Sequence, residues 1–366
     1  MSRTKFLTIA LCAGVTVGSA VVTGCGESGE AGGSGSARAG ETVRVVRPSS
    51  TSDRWVRWDS SACAFVDATA PAQPWTARVR TPSGTVRLAL GEQDENNQVN
   101  VEMNRSAEQA AEEVGLDFAK ANYKFPSTTE PVSAARSLTL RQPDVVVSNN
   151  QLAPVMETVN KVYADRCVPV VQVVVPADGT VLFGPSDAEM GRLQGEFLAE
   201  QAKEKGWEAR EITIFGQLHA PLGPDIQQRV TACQEAAAAA LPGARVANQE
   251  NVAPTTDEAQ RKMSDWLTAN PDAGHLLVCS IADLYAIGDA NALRLAGRAD
   301  KALVTGVNAQ DNVKEAIRSD GPIVGSVDLN ARRWGDYWAA LAVDIAAGEP
   351  IPSAIHPVVT MWSDQQ

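Results

Sequence analysis

The chain carries, in this order, Thr305-Gly306-Val307-Asn308, Val313-Lys314-Glu315-Ala316-Ile317 and Gly325-Ser326-Val327-Asp328. The first and third stretches end apolar runs rich in β-branched residues. The second lies in a segment whose apolar residues recur at helical spacing. This order predicts a strand, a helix and a second strand, with Asn308 and Asp328 at the points where the two strands end. Such β–α units build parallel sheets.

The same alternation of short apolar runs and amphipathic segments extends from Thr85 to the last part of the chain. The predicted strands span residues 86–90, 116–119, 145–147, 168–175, 212–215, 245–247, 276–279, 302–307 and 323–327. The predicted helices span residues 99–115, 131–141, 152–165, 187–205, 225–240, 255–269, 283–296, 311–319 and 331–347. Two successive sets of β–α units predict an α/β fold with two doubly wound domains.

The N-terminus has the pattern of an export signal. Arg3 and Lys5 precede an apolar run over residues 6–22, and small residues lead to Cys25. A positive segment, an apolar segment and small residues are typical of a secretory signal. Because a cysteine follows, the segment resembles a bacterial lipoprotein signal, which implies removal of residues 1–24 and lipidation of Cys25. The alternative is one transmembrane anchor, since residues 6–22 almost span a bilayer.

The next two segments link this signal to the β–α units. Residues 25–40 are mostly Gly, Ser, Ala and Glu after the cysteine, which predicts a flexible linker. Residues 41–84 hold Trp55, Trp58 and Trp75 among Pro and Ser without clear periodicity. They predict an irregular extension packed on the first domain. The protein is therefore expected at the extracytoplasmic face of the cell membrane, bound to the membrane only through its lipid anchor.

Charge and motifs exclude several classes of function. The formal net charge is -12, and loss of Arg3 and Lys5 with the signal leaves 30 basic residues against 44 acidic ones. This balance argues against nucleic acid as a partner. His219, His275 and His356 are far apart, and no HExxH, GxSxG or GxxxxGK[ST] motif occurs. The sequence therefore predicts a protein that is not an enzyme, with no cofactor and no metal site.

Several landmarks follow one another in an order that is known from one family. After Asp328 come Trp334-Gly335 in a predicted helix and Gly348-Glu349-Pro350-Ile351-Pro352 at its end. Upstream, Pro143-Asp144-Val145-Val146-Val147 and Val168-Pro169-Val170-Val171 form the third and fourth predicted strands. Together these stretches resemble the type I periplasmic sugar-binding proteins of ABC importers, the ribose- and galactose-binding group. The resemblance covers residues 85–366.

The resemblance implies two Rossmann-like lobes joined by three crossings of the chain, placed near Ser186, Leu329 and Pro352. The two lobes span residues 85–186 with 330–352 and residues 187–329 with 353–366. A small-molecule ligand, a carbohydrate in this family, would bind in the cleft between them. Its binding would favour a closed hinge state that a membrane permease recognises. The protein is expected to be a monomer.

The chain departs from the sugar-binding pattern at the ligand positions that the family implies. Asn97, Gln98 and Val99 follow the first strand where the family usually has an aromatic pair. Val174-Val175 replaces an Asp-Arg pair, Ile281 or Ala282 replaces an Asn, and Asn308 replaces an Asp. A site built for hydroxyl groups loses much affinity without its polar partners. These departures argue against an ordinary pentose or hexose as the ligand.

Polar residues at predicted strand ends are the candidate ligand contacts, because open α/β sheets bind ligands there. The candidates are Gln93, Asp94, Asn96, Asn149, Asn150, Gln151, Gln217, His219, Asp283, Asn308, Gln310, Asp328 and Asn330. Asn308 is the first choice, since it matches a ligand position of the family, and Asp94 and Asn96 come next. For each residue the alternative is a turn former or a helix cap.

Trp334, which lies beside Arg332 and Arg333 after the second crossing, is a further candidate. It would stack on a ring of the ligand while Arg333 binds a carboxylate or a pair of hydroxyl groups. The alternative is a tryptophan packed at a hinge, with both arginines solvated.

Four cysteines remain once the signal and the lipid site are set aside. Cys63, Cys167, Cys233 and Cys279 are an even number in an oxidising compartment, so disulfides are plausible, with three possible connectivities. The alternative is four buried free thiols. Given the two lobes that the resemblance implies, only Cys63–Cys167 with Cys233–Cys279 keeps each bridge within one lobe.

These features predict a lipid-anchored solute-binding protein of an ABC importer, with a carbohydrate or a related small polar solute as ligand. The alternative is a lipoprotein sensor that reports a non-sugar small molecule to a membrane receptor.

Overall fold

The computed structural model describes residues 40–93, 95, 97–319 and 321–364. The signal peptide, Cys25 and the linker before Gly40 lie outside the described residues, as do the candidates Asp94 and Asn96. Within the part of the chain that is described, no helix has both the length and the apolar character needed to cross a bilayer.

Strands and helices alternate along most of the chain. The strands are β1 Thr42–Val46, β2 Ser50–Thr51, β3 Trp55–Asp59, β4 Ala64–Asp67, β5 Ala77–Arg80, β6 Arg87–Gln93, β7 Asp117–Tyr123, β8 Val145–Ser148, β9 Val170–Val173, β10 Val181–Phe183, β11 Ile212–Leu218, β12 Arg245–Glu250, β13 His275–Cys279, β14 Ala302–Val307, β15 Ile323–Asp328, β16 Ile351–Pro352, β17 Ala354–His356 and β18 Thr360–Trp362. The helices are α1 Gln98–Val114, α2 Glu130–Thr139, α3 Ala153–Ala164, α4 Asp187–Glu204, α5 Gly223–Ala240, α6 Thr256–Ala269, α7 Asp283–Leu295, α8 Asp311–Arg318 and α9 Trp334–Ala346.

Two mainly parallel sheets form the cores of two lobes. The first has the strand order β2-β17-β10-β9-β8-β6-β7, and the second has the order β12-β11-β13-β14-β15-β18. Every residue of β8 and of β14 is buried, as expected for continuous apolar strands that helices cover on both faces. The carboxyl ends of the parallel strands are therefore the edges at which loops from each lobe can meet a ligand.

Two of the three crossings lie where the sequence predicts them. The chain leaves the first sheet after β10 and enters α4 at Asp187, and it leaves the second sheet after β15, which ends at Asp328. The third crossing is different. β17 pairs with β10 in the first sheet, and β18 pairs with β15 in the second. The crossing therefore lies between His356 and Thr360, after the predicted Pro352, because strand pairing assigns the short β17 to lobe 1.

The extension over residues 41–84 is not irregular, which corrects the prediction from its composition. β1 pairs with β5, β3 and β4 form a hairpin that β16 joins, and β2 adds to the edge of the first sheet. Trp75 Nε1 donates to Asp344 Oδ2 of α9 at 3.0 Å, and Arg80 pairs with the same carboxylate at 2.9 Å. Pairing with distant strands, which local periodicity does not reveal, organises this segment.

Helix α9 holds the first lobe together at the hinge. Gly335 packs so tightly on α1 that a Cβ atom there would lie 2.0 Å from the Ser106 carbonyl oxygen, and its N–H donates to Ser106 Oγ at 2.9 Å. On its inner face, Trp334 and Trp338 pack edge-on against Phe183 of β10. The start of α9 is thereby fixed against both α1 and the first sheet.

Two disulfides join Cys63 to Cys167 and Cys233 to Cys279. The first ties the β3–β4 hairpin to the segment after α3. The second ties α5 to β13 inside the second lobe. Neither bridge connects the two lobes, so neither opposes a hinge motion between them.

Candidate functional site

A cavity of about 190 Å³ lies between the two lobes, at the carboxyl ends of their parallel strands. Among the described residues, its polar lining includes Gln93, Asn97, Asn100, Asn149, Gln151, Asn308 and Arg229. Its apolar lining includes Val99, Met103, Phe125, Val174, Leu222, Ile226, Ile281, Leu284, Tyr285, Leu329 and Trp334. Such a mostly apolar cavity with a few convergent polar groups is typical of a small-molecule site.

Five of the candidates line this cavity, namely Gln93, Asn149, Gln151, Asn308 and Trp334. Gln93 ends β6, Asn308 follows β14, and Trp334 begins α9. Trp334 is buried, and its Nε1 donates to the Leu329 carbonyl oxygen at 3.0 Å, so its polar atom serves the hinge. The indole therefore offers a fixed apolar surface to a ligand. Direct contact between these lining residues and a ligand stays a prediction.

Asn308 lies in a loop with unusual backbone conformation. Its φ is 118° and that of Ala309 is 47°, values that non-glycine residues rarely adopt. The loop is over-determined by hydrogen bonds, since Asn308 N donates to the Val327 carbonyl oxygen at 2.9 Å and Ala309 N donates to Ser326 Oγ at 3.0 Å. Strained backbone held in this way tends to occur at ligand sites.

The other described candidates lie outside the cavity lining, and each has a structural partner. Asn150 Oδ1 accepts from Leu152 N at 3.1 Å, and Asn330 Nδ2 donates to the Val358 carbonyl oxygen at 3.1 Å. Arg333, whose side chain is 51% exposed, pairs with Asp336 at 2.8 Å. Asn150 and Asn330 stabilise turns, and Arg333 forms a surface ion pair. This is the alternative role for polar residues at strand ends.

Gln217 and Asp283 point into the second lobe rather than into the cleft. Gln217 Nε2 donates to the Ala259 carbonyl oxygen at 2.9 Å and also to Asp289. Asp283 accepts from Ser326 Oγ at 2.6 Å and from Gln310 N at 2.8 Å, and burial raises its pKa to about 7. Asp283 holds the loop after β14, whereas Gln217 bonds to α6 and α7, and neither residue is among the described lining residues of the cavity.

Sequence reasoning missed Arg229, the only charged side chain among the described lining residues. Arg229 Nε donates to Asp187 Oδ1 at 2.6 Å, and its Nη1 donates to the Ile281 carbonyl oxygen at 3.2 Å. Burial raises the pKa of Asp187, although the adjacent guanidinium favours the charged carboxylate. No local signal reveals this pair, because its partners lie on different helices, α4 and α5.

Glu92 supports the polar wall of the cavity from behind. It is fully buried, and its Oε1 accepts from Gln93 N at 2.7 Å and from Asn149 Nδ2 at 2.7 Å. Its Oε2 has no hydrogen-bond partner among the described residues. Burial raises the pKa of Glu92 from 4.5 to about 8, so the side chain is mostly protonated at neutral pH. Glu92 therefore orients two lining residues without bringing a charge to the site.

Replacing Glu92 by glutamine should flatten the dependence of stability on pH. The raised pKa means that the folded state binds more protons than the unfolded state between pH 4.5 and about 8. The free energy of unfolding of the wild type therefore falls by roughly 3 to 5 kcal/mol as pH rises through this window. The amide mimics the protonated carboxyl and should lose this part of the slope. Urea unfolding at several pH values measures it, and Glu157→Gln, at an exposed position, should keep the wild-type slope.

Comparison with known proteins identifies the class. Residues 92–350, well over half of the chain, match the family of periplasmic binding protein domains. The chain therefore belongs to the periplasmic binding protein family, whose members bind small solutes. No curated protein sequence is similar enough to this chain to count as a match.

Solved structures share the fold at low sequence identity. The periplasmic solute-binding protein of an ABC transporter from Actinobacillus succinogenes, with bound D-allose, is 19% identical, with a TM-score of 0.65 over 77% of this chain and 99% of that one. GanP, a glucose-galactose binding protein from Geobacillus stearothermophilus, is 20% identical, with a TM-score of 0.66 over 78% and 99%. The 5-methylthioribose transporter solute-binding protein from Thermotoga lettingae is 18% identical, with a TM-score of 0.59 over 76% and 86%. The predicted family and the two-lobed α/β fold are thus confirmed.

Proposed function

We propose that this chain is the solute-binding component of an ABC importer, with a carbohydrate or a related small polar solute as its ligand. The observation that carries the proposal is the cavity between the lobes, lined by amides and by the strained Asn308 loop. Solved relatives bound to D-allose and to 5-methylthioribose support a sugar-like ligand. A permease would recognise the closed form, and lipid on Cys25 would keep the protein at the membrane surface.

Contacts across the mouth of the cleft support closure of the two lobes. Gln310 Nε2, in lobe 2, donates to Asn97 Oδ1, in lobe 1, at 2.9 Å. Asp311 N donates to Gln98 Oε1 at 2.8 Å. Hydrogen bonds between the lobes exist only when the lobes are close together, so they favour the closed state over the open one.

Gln310→Ala should weaken ligand binding about fivefold. It removes one bond of the closed state, worth about 1 kcal/mol, while Asn97 keeps its bond from Val99 N. Calorimetric titration with a ligand identified by thermal unfolding measures the change in Kd. Gln73→Ala, at an exposed position of the extension, is the matched control and should bind as the wild type does. An unchanged Kd for Gln310→Ala would show that these bonds do not bias closure.

Thermal unfolding against a panel of sugars, polyols and small metabolites tests the function itself. Protein stripped of ligand by unfolding and refolding is the starting material. A ligand at about 100 times its Kd adds roughly 2.7 kcal/mol, which raises the unfolding midpoint by several degrees. A flat response to every compound would count against a solute-binding role. Incorporation of a labelled fatty acid, abolished by Cys25→Ser, tests the anchor separately.

A further inference from the structure

The two walls of the cavity differ in chemistry. The wall from lobe 1 carries five of the six described carboxamides, beside apolar side chains; the carboxamides are Gln93, Asn97, Asn100, Asn149 and Gln151, and the apolar residues are Val99, Met103, Phe125, Val174 and Trp334. The wall from lobe 2 is largely apolar, with Leu222, Ile226, Ile281, Ala282, Leu284 and Tyr285. The described polar groups on that side are Asn308, at the edge of the strained loop, Arg229, which is already paired, and the hydroxyl group of Tyr285. A ligand that satisfies both walls therefore presents polar groups to the carboxamides of lobe 1 and mostly apolar surface to lobe 2.

Among the lining residues that the structure describes, none offers a free charge to a ligand. Arg229 is neutralised by Asp187, and the two side chains are only 9% and 6% exposed. A charged ligand enclosed among amides and apolar groups would lose its hydration without gaining a counter-ion, which costs several kcal/mol. Carboxamides donate and accept hydrogen bonds equally, which suits hydroxyl groups and other neutral polar groups. The ligand that fits is uncharged.

The cavity volume limits the size of the ligand. A cavity of roughly 150 Å³ in a protein interior holds one benzene molecule. The cavity here is about 190 Å³, so it suits a ligand somewhat larger than benzene. A single substituted monosaccharide is of this size, and a disaccharide is too large.

We propose that the cavity takes an uncharged amphipathic sugar, in which an alkyl or thioalkyl group replaces a hydroxyl. This inference rests on the solute-binding function proposed above and narrows its ligand class. The hydroxyl groups bond to the carboxamides of lobe 1, where Glu92 holds the backbone of Gln93 and the side chain of Asn149. The apolar group packs against Ile226, Leu284 and Tyr285 of lobe 2.

Matched pairs of sugars test this assignment by calorimetry. The pairs are D-ribose with 5-methylthio-D-ribose and L-mannose with its 6-deoxy form, L-rhamnose, and ribose 5-phosphate is the charged probe. We expect the less polar member of at least one pair to bind about tenfold tighter, because its apolar group is buried and no hydroxyl is left unpaired. Ribose 5-phosphate should not bind.

The outcomes distinguish failure of the amphipathic ligand class from failure of the solute-binding function. Equal or tighter binding of D-ribose and L-mannose, or of the phosphate ester, would overturn the amphipathic ligand and leave the solute-binding function standing. Failure of every sugar, with a response to some other metabolite in the thermal panel, would also overturn it. Failure of every compound in both experiments would overturn the solute-binding function as well.

A variant of the apolar wall checks that lobe 2 reads the apolar group. Leu284→Asn should reduce the roughly tenfold preference within the pair to about twofold or less, because it removes apolar surface at a partly exposed position. Leu295→Asn makes the same change at the other end of α7, where the side chain is 77% exposed, and should keep the preference. An unchanged preference of Leu284→Asn for the less polar sugar would contradict binding of the apolar group by lobe 2.

Discussion

Replacing Arg229 by methionine is expected to lower the free energy of unfolding by about 3 to 5 kcal/mol, because the change leaves the buried Asp187 carboxylate without its partner. Arg229 and Asp187 are 2.6 Å apart, and both side chains are almost fully buried between α4, α5 and the cavity. The methionine also leaves the Ile281 carbonyl oxygen without the Nη1 donor. Urea unfolding at neutral pH measures the loss.

The double variant Asp187→Leu with Arg229→Met separates desolvation from packing. With both charges removed, no uncompensated ion is buried, so the double variant should recover a large part of the loss. Arg192→Met is the matched control on the surface of α4. Arg192 pairs with Glu189 and Glu196, but its side chain is 45% exposed, so we expect a change below about 1 kcal/mol. A loss of that small size for Arg229→Met would mean that water reaches the buried pair.

Removal of the Cys63–Cys167 bridge is expected to cost about 2 to 5 kcal/mol, because the bridge closes a long loop in the unfolded chain. The two cysteines are 104 residues apart in the sequence. The double variant Cys63→Ser with Cys167→Ser should therefore unfold at a lower temperature and at lower denaturant concentration. The loss should be largest in the extension, where a limiting amount of protease should cut first.

A reductant separates the two bridges. Tris(2-carboxyethyl)phosphine should lower the unfolding midpoint of the wild type more than that of the double variant, which retains only Cys233–Cys279. A titration of free thiols in the unfolded wild type should find none in residues 40–364. Four free thiols there, or a double variant as stable as the wild type, would contradict the role given to this bridge.

The strands at the centre of each sheet could be predicted from the sequence, and the strands at the edges could not. β8 and β14 are short, mainly apolar runs rich in valine, as expected for strands covered on both faces. β17 has three residues and β16 has two, too few for any periodicity. Their position depends on the strands with which they pair. Because β17 pairs with β10 of the first sheet, the third crossing lies after β17.

The candidate site could be predicted only in part, for a related reason. Strand ends point polar residues such as Gln93 and Asn308 towards the cleft, and these two do line the cavity. The same rule also selects Gln217, whose side chain turns inward to Asp289. Position at a strand end does not distinguish a side chain that faces the cleft from one that braces a loop.

The class of this protein could be predicted from its sequence, because the order of β–α units and the motifs around Asn308 and Trp334 are local patterns. The chemistry of the cavity, by contrast, depends on the folded structure. Arg229 becomes a neutral part of the wall because Asp187, on another helix, lies 2.6 Å away. Glu92 becomes a protonated support for two amides because the sheet excludes water from it. Charge and protonation in a protein interior depend on neighbours that are distant in sequence, and folding alone brings them together.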